Sequence, residues 1–119
     1  MHFLRQVFGS SDGSPTLSPA AAHSRLSGDH PPYLLDVREP DEFRAEHIDG
    51  ATLIPLSQIN ARLHELPKDR DIVCVCRSGA RSSVAARHLA AAGLRALNLS
   101  GGMIGWQRAG LPVRRGTRR

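Results

Sequence analysis

The chain has 119 residues, 40% of them hydrophobic, and a formal net charge of +5. That length supports one hydrophobic core rather than two, and no apolar run approaches the ~20 residues needed to span a bilayer. One Trp, one Tyr and three Phe, with no basic patch interleaved among them, argue against nucleic acid as a partner.

The opening "MHFLRQVFGSSDGS" has scattered apolar residues but not the unbroken apolar core of a secretory signal. The expectation is therefore a cytoplasmic protein with reduced thiols and no membrane partner. Residues 1–15 read as an N-terminal arm and a small, polar linker, "GSSDGSP". A domain is expected over 16–113. In "TLSPAAAHSRL", Ser18 is a helix cap and Pro19 the first helical residue. "SGDHPP" stops that helix, and "YLLDV" (33–37) is a short apolar run that suits a buried strand. "EPDEFRAEHIDGA" opens with acids around a proline, the composition of a helix start.

"TLIPL" (52–56) is a second apolar run. "SQINARLHEL" places Ile59, Leu63 and Leu66 at helical spacing. "DIVCVC" (71–76) is a third run, and "RSSVAARHLAAAG" is an alanine-rich helix stopped by Gly93. "LRALNL" (94–99) is a fourth run, and "GGMIGWQRAG" closes with a short helix that Trp106 should pack onto the core. Gly101 and Gly102 should allow a tight turn into it. Short apolar runs alternating with helices argue for an α/β fold: a central, mainly parallel sheet with helices on both faces. Residues 114–119, "RRGTRR", carry four of the sixteen cations; twelve basic residues against eleven acidic ones remain elsewhere. The charge excess thus belongs to a basic C-terminal tail, expected to be frayed and solvated.

The informative stretch is "VCVCRSGARS" (73–82). The chain's two cysteines, Cys74 and Cys76, lie two apart on a strand, a poor geometry for a disulfide, and no second Cys pair offers a metal site. No histidine spacing suggests a metal elsewhere, and nothing calls for a cofactor. Cys74, flanked by valines, reads as core. Cys76 ends its run at the carboxyl end of a parallel strand, where open α/β sheets build their sites. The loop Arg77, Ser78, Gly79, Ala80 and Arg81 leads from it into the next helix. Amides of a tight loop and of a helix start, pointing at the sulfur, favour an anion and make thiolate available near neutral pH. Arg77 and Arg81 add positive charge, and a cation in the first turn of a helix is unfavourable unless it has a use. The nearest histidine in sequence is His88, so the design is electrostatic rather than a Cys–His pair.

Three segments, "LLDVREPDEFRAEHIDGATLIPLSQI", "DIVCVCRSGARSSVAARHLAAAG" and "NLSGGMIGWQRAGLPV", resemble, in order, a single-domain rhodanese-like sulfurtransferase over Thr16 to Val113. The resemblance implies that Cys76 carries a sulfane sulfur as a persulfide. It further implies a thiosulfate-like small anion as donor and a thiol or protein as sulfur acceptor. Related phosphatases have a loop one residue longer, with arginine six positions after cysteine; here that position is Ser82. Asp36, which ends the first strand, should then brace the site, accepting from loop amides or an arginine. Arg38 should pair with a carboxylate such as Glu42, and His47 should be a hydrogen-bonded packing residue. Two readings compete: a non-catalytic rhodanese-shaped binding module, and a phosphatase- or arsenate-reductase-like enzyme of the same fold.

Overall fold

A computed structural model describes residues 7–9 and 15–116. Three of the apolar runs form the middle of a six-stranded sheet, and "TLIPL" supplies one of its edges. In chain order its elements are strand β1 (Val7–Gly9), strand β2 (Pro15–Leu17), helix α1 (Pro19–Leu26), strand β3 (Tyr33–Asp36), helix α2 (Pro40–Ala45) and strand β4 (Thr52–Leu53). Strand β5 (Ile72–Val75), helix α3 (Ala80–Ala91), strand β6 (Ala96–Leu99) and helix α4 (Gly102–Arg108) complete it. The strand order is β1-β2-β6-β5-β3-β4, and only the β1–β2 pair is antiparallel. Among the described residues, no helix is long and apolar enough to cross a membrane.

Local chemistry explains most of these elements. The Ser18 hydroxyl accepts from Ala21 N at 3.1 Å, and Pro19 opens α1. Pro40 opens α2, with Asp41 and Glu42 in its first turn; the Glu42 carboxylate accepts from Glu39 N at 3.0 Å. The central strands β5 and β6 have wholly buried side chains, as they must when both faces are covered. On one face, α3 packs through Ala85, Ala86 and Leu89 with Leu35, Ile72, Cys74 and Cys76. On the other, α1, α2 and α4 pack through Ala22, Phe43, Met103 and Trp106 with Leu17, Val73 and Leu99. Trp106 is 1% exposed, and its indole N–H donates to Pro112 O at 2.8 Å. His47 stacks on Phe43 at 3.8 Å between ring centres, with Nδ1 2.9 Å from Phe43 O.

Three expectations are corrected. Val7–Gly9, inside the segment read as arm and linker, pairs with Pro15–Leu17 and forms the sheet edge. The linker residues 10–14 lie outside the described residues. "SQINARLHEL" does not form one helix but two 3-10 segments, Leu56–Gln58 and Asn60–Glu65, with a break at Arg62 (φ −121°). The apolar spacing was real, since Ile59 and Leu66 are buried, but short turns deliver the same side chains to the core. The tail is not frayed at its start: Arg114 and His47 exchange backbone hydrogen bonds at 2.7 and 2.8 Å, and Gly116 N donates to Arg44 O at 2.9 Å. Residues 117–119 lie outside the described residues.

Candidate active site

Register brings the site together. Asp36 lies opposite Val75 and Cys74 opposite Asn98, so the carboxyl ends of β3, β5 and β6 converge where the chain leaves β5 as Cys76. The loop then turns into α3 at Gly79, whose φ of +108° is a left-handed conformation that favours glycine. That turn brings Gly79 N to 3.0 Å from Cys76 Sγ. One turn into α3, Ser82 Oγ lies 3.3 Å from the same sulfur. Among the described residues, these two are the hydrogen bonds the sulfur receives. Ser78 and Ala80 are exposed and frame the loop from outside.

The loop is held from behind by α4. Met103 N donates to Cys76 O at 2.8 Å and Ile104 N to Arg77 O at 3.0 Å. The first amides of α4 thus find acceptors in the loop carbonyls. Close approach requires Gly102: an added Cβ would lie 2.4 Å from Cys76 O and 2.7 Å from Arg77 C and O.

Two ion pairs flank the loop. At the end of β3, Asp36 accepts from Arg38 Nε at 2.9 Å, from Arg38 Nη2 at 2.7 Å and from Arg38 N at 3.1 Å. Both side chains are buried, and Arg38 Nη2 also donates to Glu46 O at 2.7 Å. The second pair joins α3 to α2: Arg81 is bidentate on Glu42 at 2.7 and 2.8 Å. The hydrogen bonds from Arg81 hold the Glu42 carboxyl down to about 2, against some opposition from burial. Two sequence expectations change here. The carboxylate partner of Arg38 is Asp36, two residues before it, rather than Glu42. Arg81 is committed to Glu42 and donates no hydrogen bond to the sulfur, although Cys76 and Asp36 also act on it electrostatically. Its place in the first helical turn is accounted for by Glu42.

Arg77 is the exposed cation of the loop, and its guanidinium has no hydrogen bond or ion pair with a described residue. It lines a groove of about 660 Å³ bounded by Arg38, Glu42, Arg44, Met103 and Gln107. Cys76 itself is 1% exposed, more covered than an open thiol pocket would leave it. Cys74 is fully buried, and desolvation, with Cys76 beside it, pushes its thiol far up from the ordinary range. A further groove, about 570 Å³, lies at the other end of the strands, against Tyr33 and Arg70.

Sequence reasoning missed three parts of this arrangement. Ser82 figured only as the position where related phosphatases carry arginine. Asn98 passed as one residue of an apolar run, although a buried amide between Leu97 and Leu99 needs hydrogen-bond partners and so marks itself. The Glu42–Arg81 pair, 39 residues apart, left no sequence signal.

Fold and site together define an α/β domain whose cysteine closes a strand and faces the amide of a tight loop. A family model described as the rhodanese-like domain matches residues 18–109, most of the chain. The chain belongs to that family. A sulfurtransferase from Allochromatium vinosum is 46% identical over 90 residues, 75% of this chain and 84% of that protein. The crystal structure of a rhodanese-related protein from Thermoplasma volcanium superposes with a TM-score of 0.78 at 28% identity, covering 83% of this chain and 96% of that one. That of thiosulfate sulfurtransferase from Pseudomonas aeruginosa has a TM-score of 0.78 at 27% identity, covering 87% of this chain and 20% of that one. This kinship supports a role in sulfur transfer.

Proposed function

We propose that the protein is a cytoplasmic sulfurtransferase that moves a sulfane sulfur from thiosulfate, or a similar small anion, to a thiol or protein acceptor through a persulfide on Cys76. The observation that carries this reading is the Gly79 amide 3.0 Å from Cys76 Sγ. A main-chain donor fixed at that distance favours the anionic sulfur and needs no reorganisation when charge appears.

In the first step the Cys76 thiolate attacks the outer sulfur of thiosulfate. A new S–S bond forms, the S–S bond of thiosulfate breaks, and sulfite leaves with the electron pair. In the second, a nucleophile takes the terminal sulfur and the Cys76 thiolate is restored. Arg77, exposed and without an acidic partner among the described residues, attracts the anionic donor to the loop. Ser78 and Ala80 flank the approach, while Arg81, through Glu42, fixes the start of α3. Asp36 and Arg38 brace the neighbouring strand end. The similarity to a thiosulfate sulfurtransferase puts thiosulfate first among donors.

The test is to incubate the protein with thiosulfate and weigh the intact chain. A mass gain of one sulfur atom, absent in Cys76→Ser and removed by cyanide, is the expected result. A wild-type chain that gains no sulfur refutes the proposal.

A further inference from the structure

The Ser82 hydroxyl has one proton and two acceptors. Asn98 Oδ1 lies 2.6 Å from Ser82 Oγ, and Cys76 Sγ lies 3.3 Å from it. The orientation of the Asn98 amide is fixed by its other end, because Nδ2 donates to Gly79 O at 3.1 Å and a flipped amide would set oxygen against oxygen. Ser82, Asn98 and Cys76 are all buried, at 0%, 5% and 1% exposure, so water does not readily substitute for a missing partner. One asparagine on β6 thus holds both groups that touch the sulfur: the hydroxyl by its oxygen, and the glycine carrying the loop amide by its nitrogen.

We infer that Asn98 is a positioning residue for Cys76, acting through Ser82 and Gly79; this rests on the reading of Cys76 as the nucleophile. When the sulfur is a thiol, its S–H donates to Ser82 Oγ and the hydroxyl donates on to Asn98 Oδ1. When the sulfur is a bare thiolate, the stronger, charge-assisted acceptor draws the hydroxyl proton to itself, and Asn98 Oδ1 gives it up. When the sulfur carries a second sulfur, the negative charge moves to the outer atom, and the hydroxyl returns to Asn98. The Nδ2 contact keeps the Gly79 peptide in place through all three states. Asn98 thereby serves as the resting acceptor for a proton that the nucleophile borrows.

The experiment measures iodoacetamide alkylation of Cys76, located by fragment mass, as the ratio of its rate at pH 7 to its rate at pH 10. Ser82→Ala removes the borrowed hydroxyl. Asn98→Asp sets a stronger competitor for that proton and a repulsive oxygen against Gly79 O. Loss of a hydrogen bond to a charged sulfur should lower the ratio about tenfold in each variant. General loosening of the loop changes both rates together and leaves the ratio at its wild-type value, and that result in either variant overturns the inference. A second measurement needs no substitution. In a pH titration followed by ¹⁵N NMR, the Asn98 side-chain amide resonances should move together with Cys76 ionisation, and resonances that stay flat also overturn it. Loading from thiosulfate is scored separately. Lowered ratios in a protein that takes no sulfur would uphold the role of Asn98 while refuting the proposed function.

Discussion

Replacing Gly102 with alanine tests whether the start of α4 fixes the cysteine loop. Gly102 has φ +55°, so any side chain there incurs a left-handed penalty of about 1 kcal/mol. Steric contact costs more. The new Cβ would lie 2.4 Å from Cys76 O and 2.7 Å from Arg77 O, and both atoms are backbone that cannot rotate away. Helix α4 must retreat, which lengthens the Met103 N–Cys76 O and Ile104 N–Arg77 O hydrogen bonds together. Leaving two backbone carbonyls poorly paired costs about 1–3 kcal/mol each, so the whole substitution should cost about 3–7 kcal/mol. Gly93→Ala is the control: its φ is also positive, at +86°, but nothing lies within 4 Å of its added Cβ. It should cost only about 1 kcal/mol. Urea unfolding followed by fluorescence of Trp106, the single tryptophan, measures both. If Gly102→Ala loses no more than Gly93→Ala, the stapling of the loop by α4 is wrong.

Three further outcomes follow from the charged groups. Glu42 has a folded value of about 2 against an ordinary 4.5, so its pair with Arg81 contributes stability above pH 4.5 that is lost as pH falls toward 2. Glu42→Gln should cost about 1 kcal/mol at pH 7, given the partial exposure of the pair, and should flatten that acid limb in pH-dependent urea melts. Asp36→Ala strands Arg38 in the core and should cost about 3–5 kcal/mol by the same melts; a loss under about 1 kcal/mol would show that the pair is not desolvated. Arg77→Ala should leave stability within about 0.5 kcal/mol of wild type, since its guanidinium has no described partner. It should lower kcat/KM for thiosulfate about tenfold in the cyanide assay, the scale of one lost charged contact; unchanged kinetics would remove Arg77 from donor binding.

The central strands were legible because burial on both faces demands continuous apolar runs, and "YLLD", "IVCV" and "ALNL" are such runs. Strands β1 and β2 were not legible. Each is three residues long, and β2 begins with proline, so neither carries a period to read. Helix α3 announced itself by alanine content and a glycine stop, whereas the segment after Pro55 offered helical spacing that two short turns satisfied equally well. At the site, the cysteine loop could be read because its chemistry is contiguous, from Cys76 to Ser82. Its supports could not, because they depend on which strands become neighbours. Asn98 reaches the loop because β6 lies beside β5, and Glu42 reaches Arg81 because α2 comes to rest near the start of α3. Local pattern fixes neither adjacency. Glu42 stood as the example of a carboxylate for Arg38, whereas the acid is Asp36, which was itself expected to accept from loop amides or an arginine.

The burial of Cys74 has a consequence for a loaded protein. A persulfide close to a second thiol can be discharged by it, giving an internal disulfide and free sulfide, although two cysteines two apart on a strand are poorly placed for that bridge. That route needs the second thiol as its anion, and desolvation keeps Cys74 protonated deep in the sheet. On the proposed mechanism, cargo bound at Cys76 would therefore wait for a nucleophile arriving from outside, its residence time set by the recipient rather than by the chain that holds it.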